Sequence, residues 1–425
     1  MLLAGVQAGT VGLSFIAVPM TLRYLGLSNY GAWILLLTLV DLLGYLDFGI
    51  GHSLRNKYVI AKSKGLTEIN KFVSTAFFLF LVISITLLTV ASLLLLIVDW
   101  QKLISAPNSL NKNLTFAAIV SVVLFSLRFI MNIICIIFTA ENKPVVPALV
   151  VLTGNLVYLI GVYFLSFNTE QSIEYVASLF YLSQLVPLTC IFVYAFSKKY
   201  NNLSPNTKYF SINHIYQLID LGGKFFIIQI SVLILTQANV LIIAKTIGLE
   251  SLAEFNLAVK YTNIIIIILT AMLIPLWSAT TDAYQRGEID WIRKEYKRIN
   301  ALWVYLLVAC IVLYVVSQYV YEFWLQGLVR PNQQLLVVLL LNLMFFARST
   351  LYRSFMNGVG LIKLQAIILS LQAAVHIPIT IMSAEKFGVI GVVLVTLTWQ
   401  LINCVWEPIQ FRKILSQKAS GIWIK

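Results

Sequence analysis

The sequence predicts an all-α integral membrane protein of twelve transmembrane helices, arranged as two lobes of six. Three observations predict it. Sixty percent of the 425 residues are hydrophobic and only 11% are charged, whereas a soluble domain is about half apolar and a quarter charged. Apolar runs of about 20 residues, the length that crosses a bilayer, recur from residue 2 to residue 410. The segments between them are too short to hold a globular domain, so whatever the protein does is done by its helices.

Marking apolar runs between polar breaks places helices near residues 2–22, 31–52, 72–98, 114–139, 144–166, 173–196, 221–244, 257–281, 299–321, 335–356, 364–383 and 389–410. The first run lacks the basic leader of a signal peptide and is longer than a signal peptide's apolar region, so it reads as a membrane helix. Its abrupt apolar start leaves room for residues upstream. Loops after the even-numbered helices, with the C-terminal tail, hold nineteen Lys and Arg against six in the other loops. The positive-inside rule then puts the basic loops and both termini in the cytoplasm. The same rule accounts for the net charge of +13 without nucleic acid. Cys135, Cys190, Cys310 and Cys404 fall singly inside spans, and His52, His214 and His376 are scattered, so no metal site is expected.

Twelve spans divide into helices 1–6 (residues 1–210) and 7–12 (residues 211–425), and paired features suggest a duplication. Arg23 and Gly26 match Lys245 and Gly248 at an offset of 222 residues, and Arg128 and Lys143 match Arg348 and Lys363 at an offset of 220. Asp99-Trp100 also parallels Glu322-Phe323-Trp324. Two halves of six helices share one orientation, which defines a parallel repeat.

Charges inside the spans are the candidate functional groups, because a charge at mid-bilayer costs about 2.5–3.5 kcal/mol and normally faces a partner or a wet cavity. The excess is cationic: Arg128, Lys224, Lys260, Arg348 and Arg353, against Asp41 and Asp47 in helix 2. Arg128 and Arg348 fall near mid-depth and are expected to line an interior space that attracts anions. Lys224, Lys260 and Arg353 lie closer to span ends, where snorkelling to the headgroups is an equal alternative. Asp47 and Arg55 are eight residues apart, and on a continuous helix would point broadly the same way. Gly44, Gly49 and Gly51 permit a bend between them. The alternative is that Asp47 caps or pairs locally while Arg55 only begins a basic loop. Pro19, Pro144, Pro147, Pro187, Pro275 and Pro378 sit in or beside spans, where they can kink the backbone.

The segment YLDFGIGHSLRNKYVIAKSKG followed by INKFVSTAFF, residues 45–80, together with PMTLRYLGLSNYGAW, residues 19–33, resembles helices 1 and 2 and the following inner loop of Wzx-type O-antigen flippases. These belong to the polysaccharide transporter branch of the superfamily that also holds multidrug extruders and the lipid II flippase. His52 and Ser53 stand where that pattern has other small or polar residues. The resemblance implies two lobes forming a MATE-like V around a cationic cavity in a bacterial inner membrane. It implies a substrate of oligosaccharide on undecaprenyl diphosphate, moved from the cytoplasmic to the periplasmic leaflet. A polysaccharide polymerase and a chain-length regulator are the implied protein partners, and H+ or Na+ the implied coupling ion. On that basis Arg128 and Arg348, helped by Arg353, Lys260 and Lys224, would hold the diphosphate, with Asp47, Arg55 and Asp41 as gate or coupling groups. An exporter of drugs or metabolites with the same fold is the main alternative, and it would favour an acidic cavity. A membrane polymerase or ligase would need a large outer loop, which the sequence lacks; Glu288-Ile289-Asp290 is the nearest approach to a DxD motif.

Overall fold

The computed structural model describes residues 2–62, 64–97, 108–167, 171–266, 279–280, 282–284, 286–359 and 361–423. Almost every described residue outside the turns is helical. Two compact units divide the chain, Met1–Ile230 and Ser231–Lys425.

The first unit opens with α1 (Leu2–Leu25), α2 (Leu27–Gly44), α3 (Ile50–Lys62) and α4 (Leu66–Ile97). It continues with α5 (Asn108–Met131), α6 (Ile133–Ala140), α7 (Val145–Leu165) and α8 (Ile173–Tyr194). The next helix, α9 (Ile212–Thr246), runs from the first unit into the second, which contains α10 (Leu249–Thr262), α11 (Ile289–Leu325), α12 (Gln333–Val359) and α13 (Lys363–Leu415). Ten helices of the described chain are long and apolar enough to cross a membrane. One of these, α13, is two spans. Gly388 interrupts it at φ 60°, ψ −145°, a conformation essentially restricted to glycine. Gln372 then bonds Asn403, His376 bonds Trp399 and Ser383 bonds Gly391, partners that descend on one arm as they ascend on the other. The arms are therefore antiparallel, and they close so tightly that a Cβ on Gly391 would collide with the Ser383 carbonyl. The expected span 257–281 begins within α10 and continues into residues 267–278, outside the described residues.

The continuous helix expected over 31–52 is broken. A 3-10 turn at Tyr45–Asp47 follows α2, and Phe48 and Gly49 both adopt positive φ, 51° and 71°. Asp47 then accepts hydrogen bonds from the backbone N–H groups of Gly49 (3.0 Å) and Gly51 (3.3 Å), which gives α3 an acidic cap at its positive end. The physical reason is local: glycine at 49 makes the reversal inexpensive, and aspartate satisfies two orphan donors. Beyond this break, α3 is amphipathic, burying Ile50, Leu54, Tyr58 and Ala61 at the spacing of one helix face.

Each unit has its own core. In the first, α3, α4 and α6 enclose Leu54, Val73, Ala76, Ile133, Ile134 and Ile137, all fully buried. In the second, the inner core is aromatic, with Tyr296 stacked near Phe411 (ring centroids 4.5 Å) and Phe411 on Phe355 (4.9 Å). Paired positions share backbone conformation across the units: Gly26 and Gly248 both precede a helix with positive φ, 75° and 124°. Lys143 N–H likewise bonds the Phe138 carbonyl as Leu361 N–H bonds that of Met356, the same six-residue closure after α6 and after α12.

Candidate functional site: a polar cavity in the second unit

Helices α9, α10, α12 and both arms of α13 line a cavity of about 320 Å³, at the small end of the range for ligand sites. Its polar lining is mostly amide and hydroxyl: Asn239, Asn263, Asn342, Gln372, Gln400 and Asn403, with Thr236, Thr262 and Thr396. Phe255, Phe346 and Trp399 supply aromatic faces, and Arg353 is the charged lining residue among those described.

Hydrogen bonds between helices hold this lining in place. Gln372 Nε2 donates to Asn403 Oδ1 at 2.9 Å, and Trp406 Nε1 donates to the same oxygen at 3.0 Å. His376, fully buried, bonds Asn239 Oδ1 through Nε2 at 3.1 Å. Its Nδ1 accepts from the Trp399 indole N–H at 3.0 Å, so the Nε2–H tautomer is the one that satisfies both partners. Several acceptor oxygens remain unpartnered, among them Asn342 Oδ1, Gln372 Oε1 and Gln400 Oε1. Buried carbonyl oxygens without donors are uncommon, and here three of them belong to lining residues. The lining amides and threonine hydroxyls give the cavity a neutral polar surface suited to a ligand rich in hydroxyl groups.

Arg353 is anchored. Its Nε lies 3.2 Å from Glu407 Oε1, with the glutamate side chain 1% exposed. A terminal nitrogen donates to Ser349 Oγ, and the guanidinium lies 5.8 Å from the Phe346 ring centre. Glu407 is an intramembrane acid that the inspection of span charges passed over, because it sits at the end of the last apolar run beside Pro408. Its spacing could have found it: Asn403, Glu407 and Gln410 recur every three or four residues, a polar stripe on an otherwise apolar helix.

The other cations occupy different places. Arg348 is half-buried one turn away, its guanidinium 5.7 Å from the Trp303 ring centre, and it is not a lining residue of this cavity. Lys260 is half-buried on α10 and forms no ion pair among the described residues; its neighbours Val259, Thr262 and Asn263 line the cavity, and it does not. Lys224 lies on α9, and its side chain is outside the described residues. In the first unit, Arg128 near the end of α5 is within electrostatic reach of Asp41 on α2 and of the buried Tyr181 on α8. Asp41 is exposed and Arg128 half-buried. Arg55 is exposed and forms no ion pair among the described residues, and the turn at Phe48 separates it from Asp47.

Comparison with known proteins gives this architecture a place. Its fold is shared with an inward-facing multidrug resistance MATE family transporter of the MOP superfamily, at a TM-score of 0.78 and 14% identity, covering 98% of this chain and all of that one. The lipid II flippase MurJ, in an inward closed conformation, matches at a TM-score of 0.78 and 15% identity over 97% of this chain and 87% of its own. The chain shares the fold of these two proteins and carries a polar interior cavity. Residues 1–280 match the sequence family described as polysaccharide biosynthesis protein, and the chain belongs to that family. A Yersinia pseudotuberculosis protein assigned to O-antigen export is 22% identical over 97% of this chain and 95% of its own length.

Proposed function

We propose that the protein is a flippase that moves an oligosaccharide linked to undecaprenyl diphosphate from the cytoplasmic to the periplasmic leaflet of the bacterial inner membrane, by alternating access. The observation that carries this reading is the lining of the second unit's cavity: six amides, three threonines, three aromatic rings and one anchored arginine. Amide and threonine side chains exchange hydrogen bonds with sugar hydroxyls, aromatic faces pack against sugar C–H surfaces, and arginine binds carboxylate or phosphate oxygens through its planar fork. The cavity has room for a small part of an oligosaccharide, and a prenyl chain would stay in lipid. Arg348, half-buried beside it, is a further cation able to meet phosphate, and Arg128 places a separate one in the first unit. Export of cationic drugs, as in MATE transporters, fits this lining less well, because its charged lining residue is an arginine.

The test is genetic and biochemical. In cells that depend on this protein for surface polysaccharide, Arg128→Ala, Arg348→Ala and Trp399→Ala should each reduce display while the lipid-linked unit accumulates in the cytoplasmic leaflet. Normal display by all three variants at normal protein level would overturn the reading.

A further inference from the structure

A second cavity, of about 460 Å³, opens between the ends of α11, α12 and α13 in the second unit, and its chemistry differs from the first. Three cations line it, Arg293, Lys297 and Arg412, over a floor made by Tyr296, Tyr352 and Phe411. Arg293 and Lys297 stand four residues apart on α11 and share a face. Arg293 is tied across the groove by a 3.0 Å bond to the Leu415 carbonyl, and its other terminal nitrogen lies 3.2 Å from Asp290. Lys297 and Arg412 are exposed and form no ion pair among the described residues, and no carboxylate lines the cavity. The floor is rigid: Asn300 donates to the Tyr352 hydroxyl at 3.0 Å and to the Tyr296 carbonyl at 3.0 Å.

Topogenic charge alone needs lysines and arginines near the span ends, with no cavity between them. Here two helices, α11 and α13, converge three cations over an aromatic floor. That combination suits an anionic headgroup with an attached apolar portion, since basic pockets between membrane helices on the cytoplasmic side hold phosphorylated lipid headgroups. The basic-loop count assigns this end of the unit to the cytoplasm. The two cavities adjoin the same turn of α12, where Tyr352 lines this one and Arg353 the other.

We infer that this groove is a binding site for the phosphate-ester headgroup of a membrane lipid, separate from the amide-lined cavity. The headgroup belongs either to a bulk anionic phospholipid or to a polyprenyl diphosphate, and both present the same phosphate oxygens to Lys297 and Arg412. The site stands on its own residues and does not require that the transported substrate be an oligosaccharide.

Native mass spectrometry of the full-length, detergent-purified protein tests it, with phosphatidylglycerol and undecaprenyl diphosphate titrated in separate arms. The combined Lys297→Gln and Arg412→Gln variant should weaken binding about tenfold or more in at least one arm, and the arm affected identifies the headgroup source. Lys198→Gln and Lys208→Gln, which remove two exposed charges from the first unit, should leave binding unchanged. Undiminished binding of both lipids by the groove variant, or an equal loss in the control variant, would overturn the assignment. Both charge pairs are exposed, and matching melting temperatures with the unaltered protein separate a binding effect from misfolding.

Discussion

The two units are built from similar apolar helices, but they manage polar groups inside those helices differently. In the first unit, many buried hydroxyls bond back to their own helix: Thr21 to Ala17, Thr38 to Ile34 and Ser121 to Ala117. The same unit also bonds across helices, Thr21 to Tyr158, Gln184 to Asn155 and His214 to Glu68. The second unit buries amides, a histidine and an ion pair, whose partners lie on other helices: Gln372 with Asn403, His376 with Asn239, Arg353 with Glu407. An interhelical network has to be complete to be stable. What differs is where the bonded groups stand: in the second unit Asn239, Arg353, Gln372 and Asn403 line the cavity and hold it in register, while in the first they join helix pairs.

The largest expected effect tests that contrast at the buried ion pair. Arg353→Ala leaves Glu407 buried without its cation and should destabilise the protein by about 3–5 kcal/mol, read as a lower melting temperature and lower membrane abundance. Adding Glu407→Gln should restore much of the stability but not transport. If the double variant transports normally, the pair is structural only.

A smaller effect is expected within the lining. Gln372→Ala removes one interhelical hydrogen bond, about 0.5–1.5 kcal/mol, and Trp399→Phe removes the donor that fixes the His376 tautomer. Each should lower transport severalfold at near-normal abundance, measured as the ratio of displayed polysaccharide to protein. Equal transport by both would detach the network from function.

Asp47 gives a test in the first unit. Asp47→Ala should cost about 0.5–2 kcal/mol through loss of the α3 cap, while Asp47→Asn keeps an acceptor and should cost less. Dependence on an ion gradient should be the same in both. A changed gradient dependence in Asp47→Asn, with stability intact, would return this residue to a coupling role.

The smallest effect concerns the turn after α6. Burial alone would raise the Glu141 carboxyl, but hydrogen bonds from Lys62 and Tyr58 (3.1 and 2.9 Å) outweigh it and hold it below the ordinary carboxylate value of 4.5. A depressed folded value means the contribution is present above about pH 4.5 and fades as pH falls through the folded value. Glu141→Gln should flatten the acid limb of a melting-temperature profile slightly, since Lys62 is 61% exposed and such pairs contribute little. An unchanged limb would show that Glu141 adds nothing to this unit's acid stability.

Much of this was legible before any coordinates. Apolar runs long enough to cross a bilayer must become helices, because lipid offers no partner for an open backbone, so the spans follow from length and composition. The sharp turn at Gly388 was readable as a polar break between two runs, and the Gly26–Gly248 pairing as a constant offset. The site was less legible. Sequence reasoning ranked cations by depth and singled out Arg128 and Arg348, yet the cavity is lined by Arg353 and by amides that a charge count ignores. Of the two readings the sequence left open for Asp47, a partner of Arg55 on one helix face or a local cap, the positive φ at Phe48 and the bonds to Gly49 and Gly51 agree with the cap.

Sequence alone determines that this chain is a bundle of membrane helices joined by short segments, with more cations than acids in the apolar runs. That much depends on hydrophobic length and charge, which are properties of single segments. Only the tertiary structure decides which polar groups meet: that Glu407 answers Arg353, that Trp399 and Asn239 hold His376 between them, and that Asp47 caps α3. Those are pairings between residues 54, 23, 137 and 2 to 4 positions apart, and all but the last depend on how helices rotate against one another, which no local pattern specifies.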